Sequence, residues 1–394
     1  MPEPCEAVEI GLVLQGGGAL GAYEWGAIEA LFAVMDEIDR PDRPACLQSV
    51  TGVSIGAING ACIVGSTDRK DGLERLARFW NTVSIAAPVY PRVDFGWLGL
   101  PSFAPVRDLS LFALPGFYAP RSDYWNVWRW TSLYNTKPLK KTLEDFVGFD
   151  LIDKSPTTFV VTAVDLKDGV LLRFRNKEAK ATASTSRFER DCKIETFEPA
   201  HIIASGSLAP QFPWTEIGGR FCWDGGIVDN TPLGDTMDAF SDREKVFRLV
   251  VIMNLYPLTA KEPANLLQVA DRVHELSYGN RLRQDCRSAE RINKLVGTID
   301  DLQKVVEAAQ LPLKPKLREA LAALQRYKQV TTVQIDLQAS GDAQPVEDDS
   351  DGLRDFSGQT VQRRRQRGRE RAFAELIPLL EKHHLLSGFQ PTVT

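Results

Sequence analysis

Apolar residues fall along this chain in two alternating kinds of run. Val8–Gln15 (VEIGLVLQ) is short, β-branched at three positions and followed by three glycines, which reads as a buried strand. Ala22–Met35 then sets Ala22, Trp25, Ile28, Leu31, Phe32 and Met35 at helical spacing. A polar loop with prolines, Asp36–Pro44, leads to a second short strand, Leu47–Thr51, which ends at Gly52. Ile55–Val64 reads as a helix. Strand, glycine turn and helix, twice over, predict an α/β fold with a mainly parallel sheet and helices on its faces.

Further along, Asp71–Ile85 and Leu133–Val147 carry helical patterns, and Thr158–Asp165 with Val170–Phe174, split by Lys167-Asp168-Gly169, reads as a hairpin. Between them, Pro88–Trp130 is rich in proline and glycine and holds Trp97, Trp125, Trp128 and Trp130, half of the 8 tryptophans. It reads as an irregular insertion over or beside the site. Its rings suit either a lipid interface or the core of the loop. His201–Ser207 is expected to be helical and to end before Pro210. Arg220–Trp223 reads as a strand closed by the turn Asp224-Gly225-Gly226, and Val246–Asn254 as a strongly apolar strand. Ala264–Gln325 is predicted to be mostly helical and Val330–Gln338 to form a last strand. Ala339–Gly352 is acidic and poor in apolar residues, the composition of a linker. Gln359–Lys382 is a basic helix whose six arginines between Arg363 and Arg371 read as a solvated face, with anionic lipid as the alternative contact.

Composition narrows the classes. The formal net charge is -5, against the basic surplus a nucleic-acid partner requires. No apolar run approaches the roughly 18 residues of a membrane span, and MPEPCEAVEI lacks the basic and apolar regions of a signal peptide. Any membrane contact is therefore expected to be peripheral. The 6 cysteines lie far apart, form no C-x-x-C pair and share no zinc-like spacing with histidine. They read as reduced thiols of a cytoplasmic protein, mostly in the core, with no metal and no cofactor implied.

Three segments carry the candidate chemistry. Gly52-Val53-Ser54-Ile55-Gly56 between a strand and a helix has the form of a nucleophile elbow, a tight turn that lifts a serine off the sheet toward a helix N-terminus. The same pentapeptide also suits a plain glycine-rich turn. Gly16-Gly17-Gly18-Ala19-Leu20-Gly21 matches the dinucleotide fingerprint, but that reading needs an acidic residue near the end of the second strand, where this chain has Thr51-Gly52-Val53-Ser54. In a hydrolase, the bare N–H groups of Gly17, Gly18 and Ala19 can instead form an oxyanion hole, while Gly21 serves close packing. Asp224, between a strand end and Gly225 and Gly226, can project into a site, or simply shape a turn. The 4 histidines, His201, His274, His383 and His384, occupy none of the positions after a strand where a Ser–His hydrolase holds its base, so each reads as structural or solvated.

The blocks QGGGALGAYEWGAIEAL, TGVSIGAINGA and WDGGIVDNTPL resemble, in order and spacing, the three signature blocks of patatin-like phospholipases. SLYNTKPLKKTLEDFV, FVVTAVDLKDGVLLRF and HIIASGSLAPQFPWTEIGG add to the likeness, which runs over roughly residues 8–256 and fades beyond. The resemblance implies a three-layer α/β/α fold and a Ser–Asp dyad acting on lipid acyl esters. Ser54 would be the nucleophile and Asp224 the base, with Gly16, Gly17, Gly18 and Ala19 lining the oxyanion hole. Many relatives carry Arg or Lys where this chain has Leu20, so that side-chain charge is missing while the backbone donors remain. The expectation is a lipid acyl hydrolase of the phospholipase A or lysophospholipase type. Its catalytic domain would span 8–256, followed by a helical extension over 257–338 and by linker and helix over 339–394. An acyltransferase on the same dyad, a nucleotide-binding module and a catalytically silent scaffold are the rivals.

Overall fold

The computed structural model describes residues 5–84, 113–178, 189–194, 196–256, 262–263, 266–309, 315–316, 328–337 and 352–391. Most of the tryptophan-rich insertion (88–112, with Trp97), nearly all of the acidic linker, and residues 264–265, 310–314 and 317–325 of the expected helical stretch lie outside them.

Strands β1 (Ala7–Leu14), β2 (Ala45–Gly52) and β5 (Thr158–Asp165) stand side by side in parallel, and β10 (Val246–Asn254) and β11 (Thr331–Asp336) extend the parallel sheet on the other side of β1. Beyond β5 the direction reverses: β6 (Leu171–Arg175) pairs with it antiparallel, as the hairpin reading requires, and β7 (Glu189–Lys193) follows β6 in parallel. The second half of β5 also pairs with β9 (Arg220–Asp224), which carries the short β8 (Thr215–Ile217). A two-residue ribbon, β3 (Ala119–Pro120) with β4 (Tyr134–Asn135), stands apart from the sheet.

The central strands are apolar at nearly every position because both faces are covered. Leu12 and Leu14 of β1, with Leu249 and Val251 of β10, face a layer built from α1 (Gly21–Ile38), α2 (Ile55–Val64) and α3 (Arg69–Val83). Val13, Val250 and Ile252 point the other way, to α7 (Leu233–Asp238) and to Leu282, Cys286 and Ala289 of the long helix α8 (Leu266–Ala308). This is the three-layer α/β/α sandwich. Helices α4 (Lys137–Phe146), α5 (Phe149–Lys154) and α6 (Pro199–Ser205) complete the sheet's β5 end.

The C-terminal helix α9 (Gly358–Lys382) corrects one expectation. Its arginines are not a solvated face: α9 lies along α1 and belongs to the outer layer. The helices touch so closely that a Cβ on Gly26 would stand 1.7 Å from the Arg365 carbonyl oxygen. Arg364 is buried, Arg365 stacks on Trp25 and pairs with Glu29, and Val361, Ala372, Leu376 and Leu380 join the main core. The arginine stems and the aliphatic positions share one stripe, which the charge count of the sequence conceals.

Candidate active site

In a parallel sheet, side chains with chemistry gather outside the carboxyl ends of the strands, where successive connections leave to opposite sides. Here that point is the end of β1, between β10 and β2. The glycine loop leaves β1 there, and the elbow leaves β2 beside it.

Ser54 sits at φ 53, ψ -120, the left-handed region that few residues other than glycine occupy. The turn survives because its flanks lack side chains: a Cβ on Gly52 would lie 2.6 Å from the Gly56 oxygen, and one on Gly56 would lie 2.5 Å from the Leu14 oxygen. The Ser54 N–H donates to Ser205 Oγ at 2.9 Å, which fixes the turn from outside. Ser54 thereby caps α2, whose N-terminus directs its partial positive charge at the serine. The side chain is only half-buried.

The glycine loop abuts this serine, since a Cβ on Gly16 would stand 3.0 Å from Ser54 Cβ. Gly16 itself is occupied. Its N–H donates to Asn230 Oδ1 (3.0 Å), while its carbonyl accepts from Asn230 Nδ2 (3.2 Å) and from the Tyr256 hydroxyl (2.5 Å). Its expected place in the oxyanion hole is therefore structural, as the loop's anchor, and it has no donor to offer. No hydrogen bond among the described residues takes up the N–H groups of Gly17, Gly18 or Ala19. Gly18, at φ +53, turns the loop into the 3-10 turn Gly18–Leu20 that opens α1. Gly21 packs against Ile55 and Trp80, the close approach expected of it.

Asp224 ends β9 and starts the turn Gly225–Ile227, where its Oδ1 accepts the Gly226 N–H at 2.8 Å. Asp224 is 3% exposed. Gly225 lies against Thr162 of β5, and Gly226 against Asn230. Burial raises the Asp224 pKa from 3.8 to about 7, against the lowering hydrogen bonds from the Gly226 N–H and the Ser54 hydroxyl. The carboxyl group is thus poised between its two forms at neutral pH.

These groups share one cavity of about 270 Å³. Gly16, Gly17, Gly18, Ser54, Asp224 and Gly226 line it, and Phe117, Tyr118, Phe212, Tyr256 and Tyr278 give it aromatic walls. A second cavity of about 350 Å³, near β6 and α7, contains none of the three turns, and its buried Asp235 is paired with Arg173 and Arg175. Among the described residues no cluster of His, Cys, Asp and Glu could hold a metal ion.

Histidine is absent from the described lining of the cavity that holds Ser54 and Asp224. His201 is buried between Phe174 and Phe197, and its Nδ1 accepts the Glu198 N–H as part of the cap of α6. His383 packs on Phe247 at the end of α9. Sequence reasoning missed Asn230, Ser205 and Tyr256. Asn230 and Ser205 had a visible signal, standing in quoted blocks with no role assigned to them; Tyr256 had none, because its partner lies 240 residues away.

A family model described as patatin-like phospholipase matches residues 12–237, more than half of the chain. The same chain shows no match among curated protein sequences. Among solved structures, VipD from Legionella pneumophila is similar, with 15% identity, a TM-score of 0.37 and coverage of 96% of this chain and 67% of VipD.

Proposed function

The chain belongs to the patatin-like phospholipase family, and from that premise we propose that it hydrolyses lipid acyl esters through Ser54 and Asp224. One observation carries this reading: a serine in a strained elbow and a buried carboxyl group with a pKa of about 7 line the same aromatic cavity. Asp224 takes the Ser54 proton directly, and Ser54 Oγ attacks the ester carbonyl. The N–H groups of Gly17, Gly18 and Ala19 receive the developing oxyanion. Collapse expels the alcohol, which leaves with the proton from Asp224. The carboxylate then activates water, which releases the fatty acid and restores Ser54. A carboxylate at its ordinary pKa would be a poor base for this step, and burial corrects that.

Peripheral contact with a membrane is part of the proposal. Trp125 and Trp128 are 84% and 94% exposed, and the half-exposed Leu133 joins that surface to the cavity lining. Tryptophan favours the lipid headgroup level. No helix among the described residues is long and apolar enough to cross a membrane. All six cysteines are free thiols, which supports a reducing compartment such as the cytoplasm. The test is hydrolysis of a panel of acyl esters by wild type and Ser54→Ala. Activity in wild type that survives in the variant refutes the assignment.

A further inference from the structure

The family match ends at residue 237, yet part of the cavity wall comes from far beyond it. Residues 353–356 cross the glycine loop as a strap just ahead of α9. The carbonyl of Leu353 lies so close to Gly18 that a Cβ there would be 2.5 Å from its oxygen. The Leu353–Arg354 peptide therefore rests on the loop that carries the candidate oxyanion donors.

The strap is held at its other end by side chains. Phe356 stacks on Trp80, with ring centroids 6.1 Å apart, and meets Phe117 at 5.8 Å. Asp355 accepts from the Ser357 N–H and the Thr360 hydroxyl, and its carbonyl accepts from the buried Arg364. Between these anchors, Leu353, Arg354 and Phe356 all line the catalytic cavity. Arg354 is the only cation among the described lining residues, and Asp224 the only carboxylate.

We propose that Arg354 is a specificity residue of the acyl-ester site, recognising an anionic phosphate on the alcohol portion of the substrate. The proposal rests on the hydrolase reading above. In this reading an ester engaged at Ser54 seats its acyl chain against Phe117, Tyr118 and Phe212 and turns its alcohol portion toward the strap that carries Arg354. The planar guanidinium suits such a group, because it can donate two parallel hydrogen bonds to phosphate oxygens. The chain's net charge of -5 repels anions overall, so a preference for an anionic ester requires a local cation.

The test uses two soluble octanoyl esters that differ only in phosphate, 1-octanoyl glycerol 3-phosphate and 1-octanoyl glycerol. The measured quantity is the ratio of their kcat/KM values in wild type, Arg354→Gln and Arg354→Lys. Arg354→Gln should lower the ratio at least about tenfold, the worth of one hydrogen bond between charged groups. Arg354→Lys should restore most of it. An unchanged ratio in Arg354→Gln overturns the role of Arg354 and leaves the hydrolase reading intact. Wild type that cleaves neither ester, with no fluorophosphonate adduct on Ser54, overturns that reading and the proposal with it. If Arg354→Gln does not fold, a salt series on wild type decides. A local cation predicts a ratio that falls as salt rises, whereas the net negative charge alone predicts a ratio that rises or stays flat.

Discussion

Replacing Asp224 with asparagine separates chemistry from architecture. Asparagine retains the Oδ1 that accepts the Gly226 N–H at 2.8 Å, so the turn should persist. It cannot take a proton from Ser54. If acylation and deacylation both use this carboxylate, the loss in kcat should approach that of Ser54→Ala, and the double variant should be little worse than either single one. Stability should move the other way. Burial raises the Asp224 pKa from 3.8 to about 7, so the folded state binds this proton more tightly than the unfolded state does. The stabilisation from that proton is complete below pH 3.8 and is lost as pH rises to about 7, above which the fold must hold a buried charge. The difference corresponds to roughly 4 kcal/mol, and Asp224→Asn removes it. The variant should therefore melt higher than wild type at pH 8 and lose that advantage toward pH 4, while wild-type kcat/KM climbs through an ionisation near pH 7. Calorimetry and a pH–rate profile on a soluble ester measure both effects. Turnover within about tenfold of wild type, equivalent to about 1.4 kcal/mol in the barrier, refutes the base assignment. A lower melting temperature at pH 8 refutes the account of the buried charge.

Ser54→Ala should abolish esterase activity in a folded protein, and a fluorophosphonate should label wild type at Ser54 alone, as peptide mass mapping will show. His201→Gln, His274→Gln and the His383/His384 double change should each keep most of the activity; a loss of roughly a thousandfold in a folded variant would point to a Ser–His mechanism. Trp125→Ala with Trp128→Ala should weaken co-sedimentation with phosphatidylcholine vesicles several-fold while leaving hydrolysis of a soluble ester within about twofold, since both rings are solvent-exposed. Equal binding by this variant and wild type would remove the lipid-surface role.

The sheet was legible because its central strands are short and largely apolar, with both faces buried, and because β1 and β2 run directly into glycine turns. The end of β2 at Gly52, the start of α2 at Ile55 and the whole of β10 agree with the apolar pattern to within a residue. α1 runs three residues past the predicted Met35, to Ile38, because that isoleucine is buried in the same core. The candidate site residues were legible for a different reason: glycines tolerated only in tight turns mark where backbone, and not side chain, is needed. What the sequence did not reveal is how those turns are held. Nothing in the sequence hints that Asn230 occupies the Gly16 N–H, and the family resemblance alone places Gly16 in the oxyanion hole.

The largest gap between sequence and structure concerns the C-terminal helix, and its cause is physical. Hydrophobic patterning registers which face of a helix is apolar, but α9 also buries arginine stems and a glycine contact, and neither registers as apolar. Arg364 illustrates the point. It is 2% exposed, yet its Nη1 reaches the Asp355 carbonyl, so a residue that reads as solvated helps to hold the strap over Gly18. Part of the wall of the cavity that holds Ser54 and Asp224 thus comes from chain that follows the last signature block by more than a hundred residues. Removing α9 should therefore cost more than stability. It would withdraw Leu353, Arg354 and Phe356 from the wall beside the glycine loop, although no residue of α9 itself lines the cavity.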